Sequence, residues 1–143
     1  MSDNGLFSLT GQVAVVIGGG GVLAGAMATG LAQAGAEIAI LDVSKDGADA
    51  RARAIVELGG AAIGVGCDAT SKTSLEQALK TVLERFGHVD ILLNAAGVNS
   101  GTPFFEIAES EWHRILNIDL TSVFLACQVF GKAMVDFLDR NIR

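Results

Sequence analysis

Four consecutive glycines, Gly18, Gly19, Gly20 and Gly21, follow the apolar run Val13–Ile17. Glycine at such a point lets the backbone come close to a phosphate, and a helix starting after it offers free N–H groups and the positive end of its dipole. A plain tight turn needs only one or two glycines, for positive φ. Four in a row, followed by Val22 and Leu23 and by Gly25 and Ala26 for close packing, favour the phosphate reading. Asp42 ends a second apolar run, 24 residues beyond Gly18. A carboxylate there can accept hydrogen bonds from ribose hydroxyls and repels a 2′-phosphate, and its neighbour Val43 brings no positive charge to offset it. The alternative for Asp42 is a capping residue at a turn. Asp68 and Asn94–Gly97 close a third and a fourth apolar run in the same manner. Gly, Asp and Asn are ordinary turn residues one at a time, but four such segments at four run ends point to one shared site.

Those segments need a scaffold that brings strand ends together. Val13–Ile17 is β-branched and apolar throughout, as in a strand buried on both faces. Val22–Ala34 reads as a helix closed by Gly35. Ile38–Leu41 is the second strand, and Ser44 caps a helix running to about Leu58, stopped by Gly59 and Gly60. Ala62–Cys67 is a weaker third strand. Thr73 to Glu76 has capping-box spacing, and Leu75, Ala78, Leu79, Val82, Leu83 and Phe86 form one apolar helical face ended by Gly87. Val89–Leu93 is the fourth strand. Past Pro103, a long helix runs from about Glu109 to Asp139. Strictly alternating strands and helices predict an α/β fold, a doubly wound parallel sheet in the order 3-2-1-4, within one domain over 1–143.

Composition narrows the function classes. The 143 residues are half hydrophobic and carry a net charge of −6, which argues against nucleic acid as the partner. No charge occurs from Asn4 to Ala36, but the glycine run breaks any membrane-spanning helix there. No Lys or Arg precedes residue 45, so the positive region of a signal peptide is missing. Cys67 and Cys127 read as small buried apolar residues in a reducing cytoplasm. His88 and His113 are isolated and read as surface histidines, with no metal-ligand spacing. There is no tyrosine.

The glycine turn, Asp42, Cys67-Asp68-Ala69, Asn94-Ala95-Ala96-Gly97, and Trp112-x-Arg114 before Asn117-Ile-Asp-Leu120 together resemble the N-terminal portion of the short-chain dehydrogenase/reductase family. The resemblance covers nearly the whole chain, and Phe7–Val16 is similar to that family's usual first strand. Gly18–Ala28 is more particular and resembles members that act on sugar acids, of the mannonate/fructuronate type.

That resemblance implies a Rossmann-type fold and a nicotinamide dinucleotide, NAD rather than NADP. It implies that Gly18 to Leu23 line the pyrophosphate and that Asp42 holds the ribose. Asp68 and Ala69 would contact the adenine, Asp68 by accepting from its amino group. Asn94, Ala95, Ala96 and Gly97 would pack on the adenosine ribose side and steady the central strand. There are departures. Ile17 replaces the usual Thr, and the third glycine of a G-x-G-x-x-G reading falls at Leu23. The family's catalytic Asn, seven residues after the Trp, is here Asp119. The family's Ser and Tyr-x-x-x-Lys follow the next strand, and this sequence stops at Arg143 without them. The expectation is a cofactor-binding half that is inactive alone, from an enzyme moving hydride between nicotinamide and a secondary alcohol or ketone. The alternative is a non-catalytic dinucleotide-binding or assembly module. The helix 109–139, apolar on more than one face, implies a homo-oligomer.

Overall fold

The computed structural model describes residues 5–141; Asn4, where the uncharged stretch begins, and Arg143 lie outside the described residues. The elements run β1 (Val13–Ile17), α1 (Val22–Gln33), β2 (Glu37–Asp42), α2 (Lys45–Glu57), β3 (Ala62–Gly66), α3 (Lys72–Phe86) and β4 (Ile91–Asn94). A single 3₁₀ turn, Phe104–Glu106, leads to α4 (Glu109–Leu116), a π-helical segment (Asn117–Thr121) and α5 (Ser122–Asn141). All three strand pairings are parallel, and the sheet order is β3-β2-β1-β4, as the alternation predicted. In register, Val15 stands between Ala39 and Leu92.

Period-two alternation along β1 divides the core. Val13, Val15 and Ile17 face α3 and α5, where Leu75, Val82 and Phe130 pack. Ala14 and Val16 face the opposite layer with Ala28, Ala52 and Ile55 of α1 and α2. Both faces of β1 are therefore closed, and each large side chain buried there contributes roughly 1.5–3 kcal/mol. The parallel arrangement sends the carboxyl ends of all four strands to one edge.

Local chemistry sets the element ends. Ser44 accepts from the Gly47 N–H at 3.2 Å and caps α2. Gly35 (φ +103°) and Gly87 (φ +86°) take the left-handed conformation that stops α1 and α3. The capping-box expectation at Thr73 is corrected: the cap is Ser71, whose hydroxyl accepts from the Ser74 N–H, and α3 starts at Lys72. Strand β3 stops at Gly66 rather than Cys67, and β4 is shifted to Ile91–Asn94, although Val89 is fully packed.

The helix expected from 109 to 139 is not uniform. Its middle is π-helical: the Ser122 N–H reaches back five residues to the Asn117 carbonyl, and the Ser122 hydroxyl donates to the Ile118 carbonyl at 2.5 Å. Glu109–Asn141 is long and apolar enough, by length and composition, to cross a membrane. In this fold Ala126 and Phe130 of that run are fully enclosed in the core, while Trp112, Leu120, Phe124 and Leu138 are more than half exposed on its other side. Cys127 is exposed, correcting the expectation that both cysteines are buried; its Sγ lies 3.7 Å from the Asn94 amide at the end of β4. His88 is half-buried rather than on the surface. It stacks on Phe137 with ring centroids 4.8 Å apart and stands 3.0 Å from the Asp90 carboxylate, which also accepts from the Val13 N–H.

Candidate functional site

At the carboxyl edge of the sheet lies a cleft of about 530 Å³. Gly18 and Gly21 line it from the β1–α1 turn, Asp42 and Val43 from the end of β2, and Cys67 to Thr70 from the end of β3. Ala95 to Val98 close it after β4, with Ile118 and Ser122 of the π segment behind them. Four sequence segments spread over 80 residues thus meet in one place.

The glycine turn is built from backbone. Gly18 has φ +77°, and a Cβ on it would stand 2.7–2.8 Å from backbone atoms of Ala95 and Ala96. Its N–H and that of Gly19 donate to the Leu41 carbonyl at 2.7 and 3.2 Å, which ties the turn to β2. Gly19 is buried against Ile40 and Val16, outside the cleft lining. Gly20 faces the end of β2, its N–H donating to Asp42 Oδ2 at 3.1 Å. Gly21 is the N-cap of α1 and supplies no capping side chain, so the first N–H groups of the helix have no intrahelical partner. Val22 and Leu23 stand exposed beside that helix start.

Asp42 uses its second oxygen as well, since Oδ1 accepts from the Ser44 N–H at 2.9 Å. Each carboxylate oxygen keeps a further lone pair, and Asp42 makes no ion pair among the described residues. Asp68 is oriented by its own loop: Oδ1 accepts from the Thr70 N–H at 2.9 Å and from the Thr70 hydroxyl at 2.7 Å. Beside it, burial pushes the Cys67 thiol up, the charge of Asp68 adds to this, and a hydrogen bond from Ser74 partly opposes it. The raised pKa favours the neutral thiol at Cys67 in the cleft wall.

Asn94 ends β4 in register with Ile17, and the Ala95 N–H donates to the Ile17 carbonyl at 3.0 Å. Asn94 is not among the residues lining the cleft, and its side-chain amide donates to Cys127 Sγ at 3.7 Å. Asp119 projects from the π segment, where Oδ1 accepts from the Val98 N–H at 2.8 Å. That bond spans 21 residues and holds the loop after β4 against the long helix. Among the described residues, no three His, Cys, Asp or Glu side chains gather at metal-binding distances.

The model of the short chain dehydrogenase family matches residues 12–141. The chain belongs to that family. D-threitol dehydrogenase of Mycolicibacterium smegmatis is 38% identical over 130 residues, covering 91% of this chain and 50% of that protein. The 5-keto-D-gluconate 5-reductase of Escherichia coli is 31% identical, covering 93% and 52%. Among solved structures, a short-chain type dehydrogenase/reductase from Mycobacterium marinum superposes with a TM-score of 0.89 at 31% identity, covering 95% of this chain and 55% of that one. A Haemophilus influenza protein assigned provisionally as a D-mannonate oxidoreductase, solved with NAD bound, gives 0.85 at 27% identity, covering 91% and 52%. The chain spans about half the length of the curated relatives it matches. Short-chain dehydrogenases bind a nicotinamide dinucleotide, and the residues here suit one: a cradle at Gly18 that a Cβ would fill, an uncapped helix start, and two strand-end carboxylates with acceptor capacity to spare.

Sequence reasoning named most of this site but missed Thr70, Val98, Ile118 and Ser122. The Asp68-Ala-Thr70 spacing is a usable signal, because Asp commonly accepts from the N–H two residues on. Ile118 and Ser122 carry none, since they reach the cleft through a π turn that no apolar period announces.

Proposed function

We propose that this chain is the cofactor-binding portion of an NAD-dependent oxidoreductase that moves hydride between nicotinamide and a secondary alcohol or ketone on a sugar acid or polyol. The observation that carries the NAD reading is Asp42. Its carboxylate sits on the Gly20 N–H at the mouth of the glycine turn, with acceptor capacity left for ribose hydroxyls and no ion-pair partner among the described residues. The names of the threitol, ketogluconate and mannonate relatives support the substrate class.

In this reading Gly18 and Gly21 hold the pyrophosphate through backbone, with Gly19 and Gly20 shaping the turn and Val22 and Leu23 opening the helix. Asp68 and Ala69 meet the adenine, and Asn94, Ala95, Ala96 and Gly97 back the adenosine ribose. The nicotinamide, when bound, supplies or accepts the hydride. Asp119 acts at the catalytic end by holding the π segment and the loop after β4 in one geometry. These 143 residues hold no Tyr-x-x-x-Lys, so on this reading they are expected to bind dinucleotide without turning substrate over. The exposed side of α4 and α5 is the contact for a second copy, and the protein works in the cytoplasm without nucleic-acid or membrane partners.

Calorimetric titration with NAD and NADP tests the cofactor. NAD should bind at least about tenfold more tightly, because a 2′-phosphate facing a carboxylate costs more than 1.4 kcal/mol in a part-buried site. Equal affinities would refute the reading. The alternative is a non-catalytic dinucleotide-binding or assembly module. The coding sequence after residue 143 separates the two: a further strand followed by Ser and Tyr-x-x-x-Lys supports the enzyme, and a stop codon supports the module.

A further inference from the structure

Asp68 lies in a short turn between β3 and α3, and the side chain that fixes this turn is Ser74. The Asp68 N–H donates to Ser74 Oγ at 3.0 Å. The Ser74 hydroxyl in turn donates to Cys67 Sγ at 3.8 Å, and the Ser74 N–H donates to Ser71 Oγ at 3.4 Å. One small side chain from the first turn of α3 therefore grips two consecutive residues of the cleft wall, Cys67 and Asp68. At the other end of the Asp68 side chain, Thr70 occupies Oδ1 with two donors. Oδ2 has no protein partner among the described residues. The carboxylate is held at its backbone by Ser74 and at one oxygen by Thr70, so a single acceptor is presented in a fixed place.

We infer that Ser74 is a positioning residue that sets the base preference of the site, by fixing Asp68 so that Oδ2 accepts from a 6-amino purine and rejects a 6-oxo purine. The inference rests on the reading of Asp68 as the adenine contact. Its chemistry is simple: a carboxylate accepts a hydrogen bond from an exocyclic amine but faces an oxo group as one acceptor against another. Discrimination of that kind needs a rigid acceptor, because a loose carboxylate turns away from the wrong base at little cost. Ser74 touches no ligand in this scheme and works only through Asp68.

The test uses the 143-residue chain and two probes, NAD and nicotinamide hypoxanthine dinucleotide, which differ in the 6-substituent of the base, amino against oxo, and in the proton that the oxo base carries at N1. Dissociation constants are measured for the wild type, Asp68→Asn, Ser74→Ala and Ser74→Thr. The wild type should prefer NAD by about tenfold, the worth of one hydrogen bond to a charged acceptor. Ser74→Ala and Asp68→Asn should each bring the ratio to within about twofold of unity, and Ser74→Thr, which keeps the hydroxyl, should retain it. A residue that merely supports the fold would weaken both probes in proportion and leave the ratio alone, and that result overturns the inference. A ratio of one in the wild type, or a preference that survives Asp68→Asn, overturns the adenine reading instead. If Ser74→Ala loses its far-ultraviolet circular dichroism, Ser74→Cys replaces it, since a thiol keeps the size and is a poor acceptor for the Asp68 N–H.

Discussion

The two sides of the cleft are built by different means. The glycine-turn side is backbone against backbone: Gly18 lies on Ala95–Ala96, its N–H and that of Gly19 hold the Leu41 carbonyl, and the strands behind it are fully enclosed. The opposite side, the loop from Val98 onward, is tied to the long helix by side chains, Asp119 of the π segment, itself exposed, and Glu111 of α4. β1 is buried at all five positions, and β4 is only half-buried at all four of its own. A wall made of backbone tolerates almost no change in shape. A wall held by two side-chain carboxylates can be loosened without unfolding the sheet. On the proposed reading, that separation suits a first wall that grips a phosphate group and a second that adjusts to what it faces.

The sharpest way to break this contrast is Gly18→Ala. A side chain at φ +77° costs about 1–2 kcal/mol before any contact is counted. The added Cβ would also press on the Ala95 and Ala96 backbone, an overpacking worth about 1–3 kcal/mol more. Denaturant unfolding should show a loss of roughly 3 kcal/mol, a large share of the stability of a chain this size. An unchanged midpoint would mean the two loops do not touch as described.

Gly20→Val should separate binding from folding. A Cβ there meets Asp42 Oδ2 at 2.9 Å, the movable end of a side chain, and stands 3.3 Å from the Gly47 backbone. The fold can yield by turning the carboxylate, and that spoils the ribose contact. Dinucleotide affinity should fall by about tenfold or more, equivalent to at least 1.4 kcal/mol, while the unfolding midpoint moves far less than in Gly18→Ala. A variant that folds and binds NAD normally would remove the glycine run from the phosphate site.

How much of this was legible in the sequence follows the same division. Gly18 and Asp42 announce themselves, because glycine at positive φ and a strand-end carboxylate are local necessities of a parallel strand–turn–helix unit. Alternation of strands and helices gave the sheet order, since right-handed crossovers leave few other choices. The Asp119–Val98 bond could not be read, because it joins positions 21 residues apart through a helix whose register slips at the π turn. The cap of α3 is ambiguous in the sequence for a related reason: Ser71, Thr73 and Ser74 are all capable caps, and Ser74 is taken up by Asp68. The exposure of Cys127 is not legible, because an apolar helix with two faces does not say which of its positions are covered.

Asp119→Ala sharpens the contrast from the weaker side. It removes the acceptor of the Val98 N–H and should cost about 1 kcal/mol, less than the glycine change. Hydrogen exchange at the Val98 amide should quicken severalfold while amides of β1 and β2 stay protected. Asp119→Asn keeps an oxygen acceptor and should restore most of the protection. Equal protection in wild type and Asp119→Ala would show that the loop is held by something else.

The smallest effect belongs to Glu111, which secures the far end of the same loop. Its Oε1 accepts from the Ser100 hydroxyl at 2.7 Å and its Oε2 from the Thr102 hydroxyl at 3.0 Å. These two bonds, Ser100 first, hold its carboxyl below the ordinary glutamate range, with a minor contribution from the charge of Arg114. A carboxylate whose folded pKa is lowered gives its stabilisation above the unfolded value and loses it as pH falls through the folded value. The loop should therefore be fully tethered at neutral pH, begin to loosen as pH drops below about 4.3, and be free once Glu111 is protonated in the folded chain. Glu111→Gln supplies the reference, because its amide does not titrate. The difference between wild type and variant in hydrogen exchange at the Thr102 amide, which donates to Ser100 Oγ at 3.0 Å, should be present at pH 7 and vanish in acid. A carboxyl titration by carbon NMR should place the Glu111 midpoint below that of an unstructured glutamate. A midpoint at or above that reference would mean that Ser100 and Thr102 do not hold the carboxylate, leaving Asp119 as the single side chain that fastens this wall.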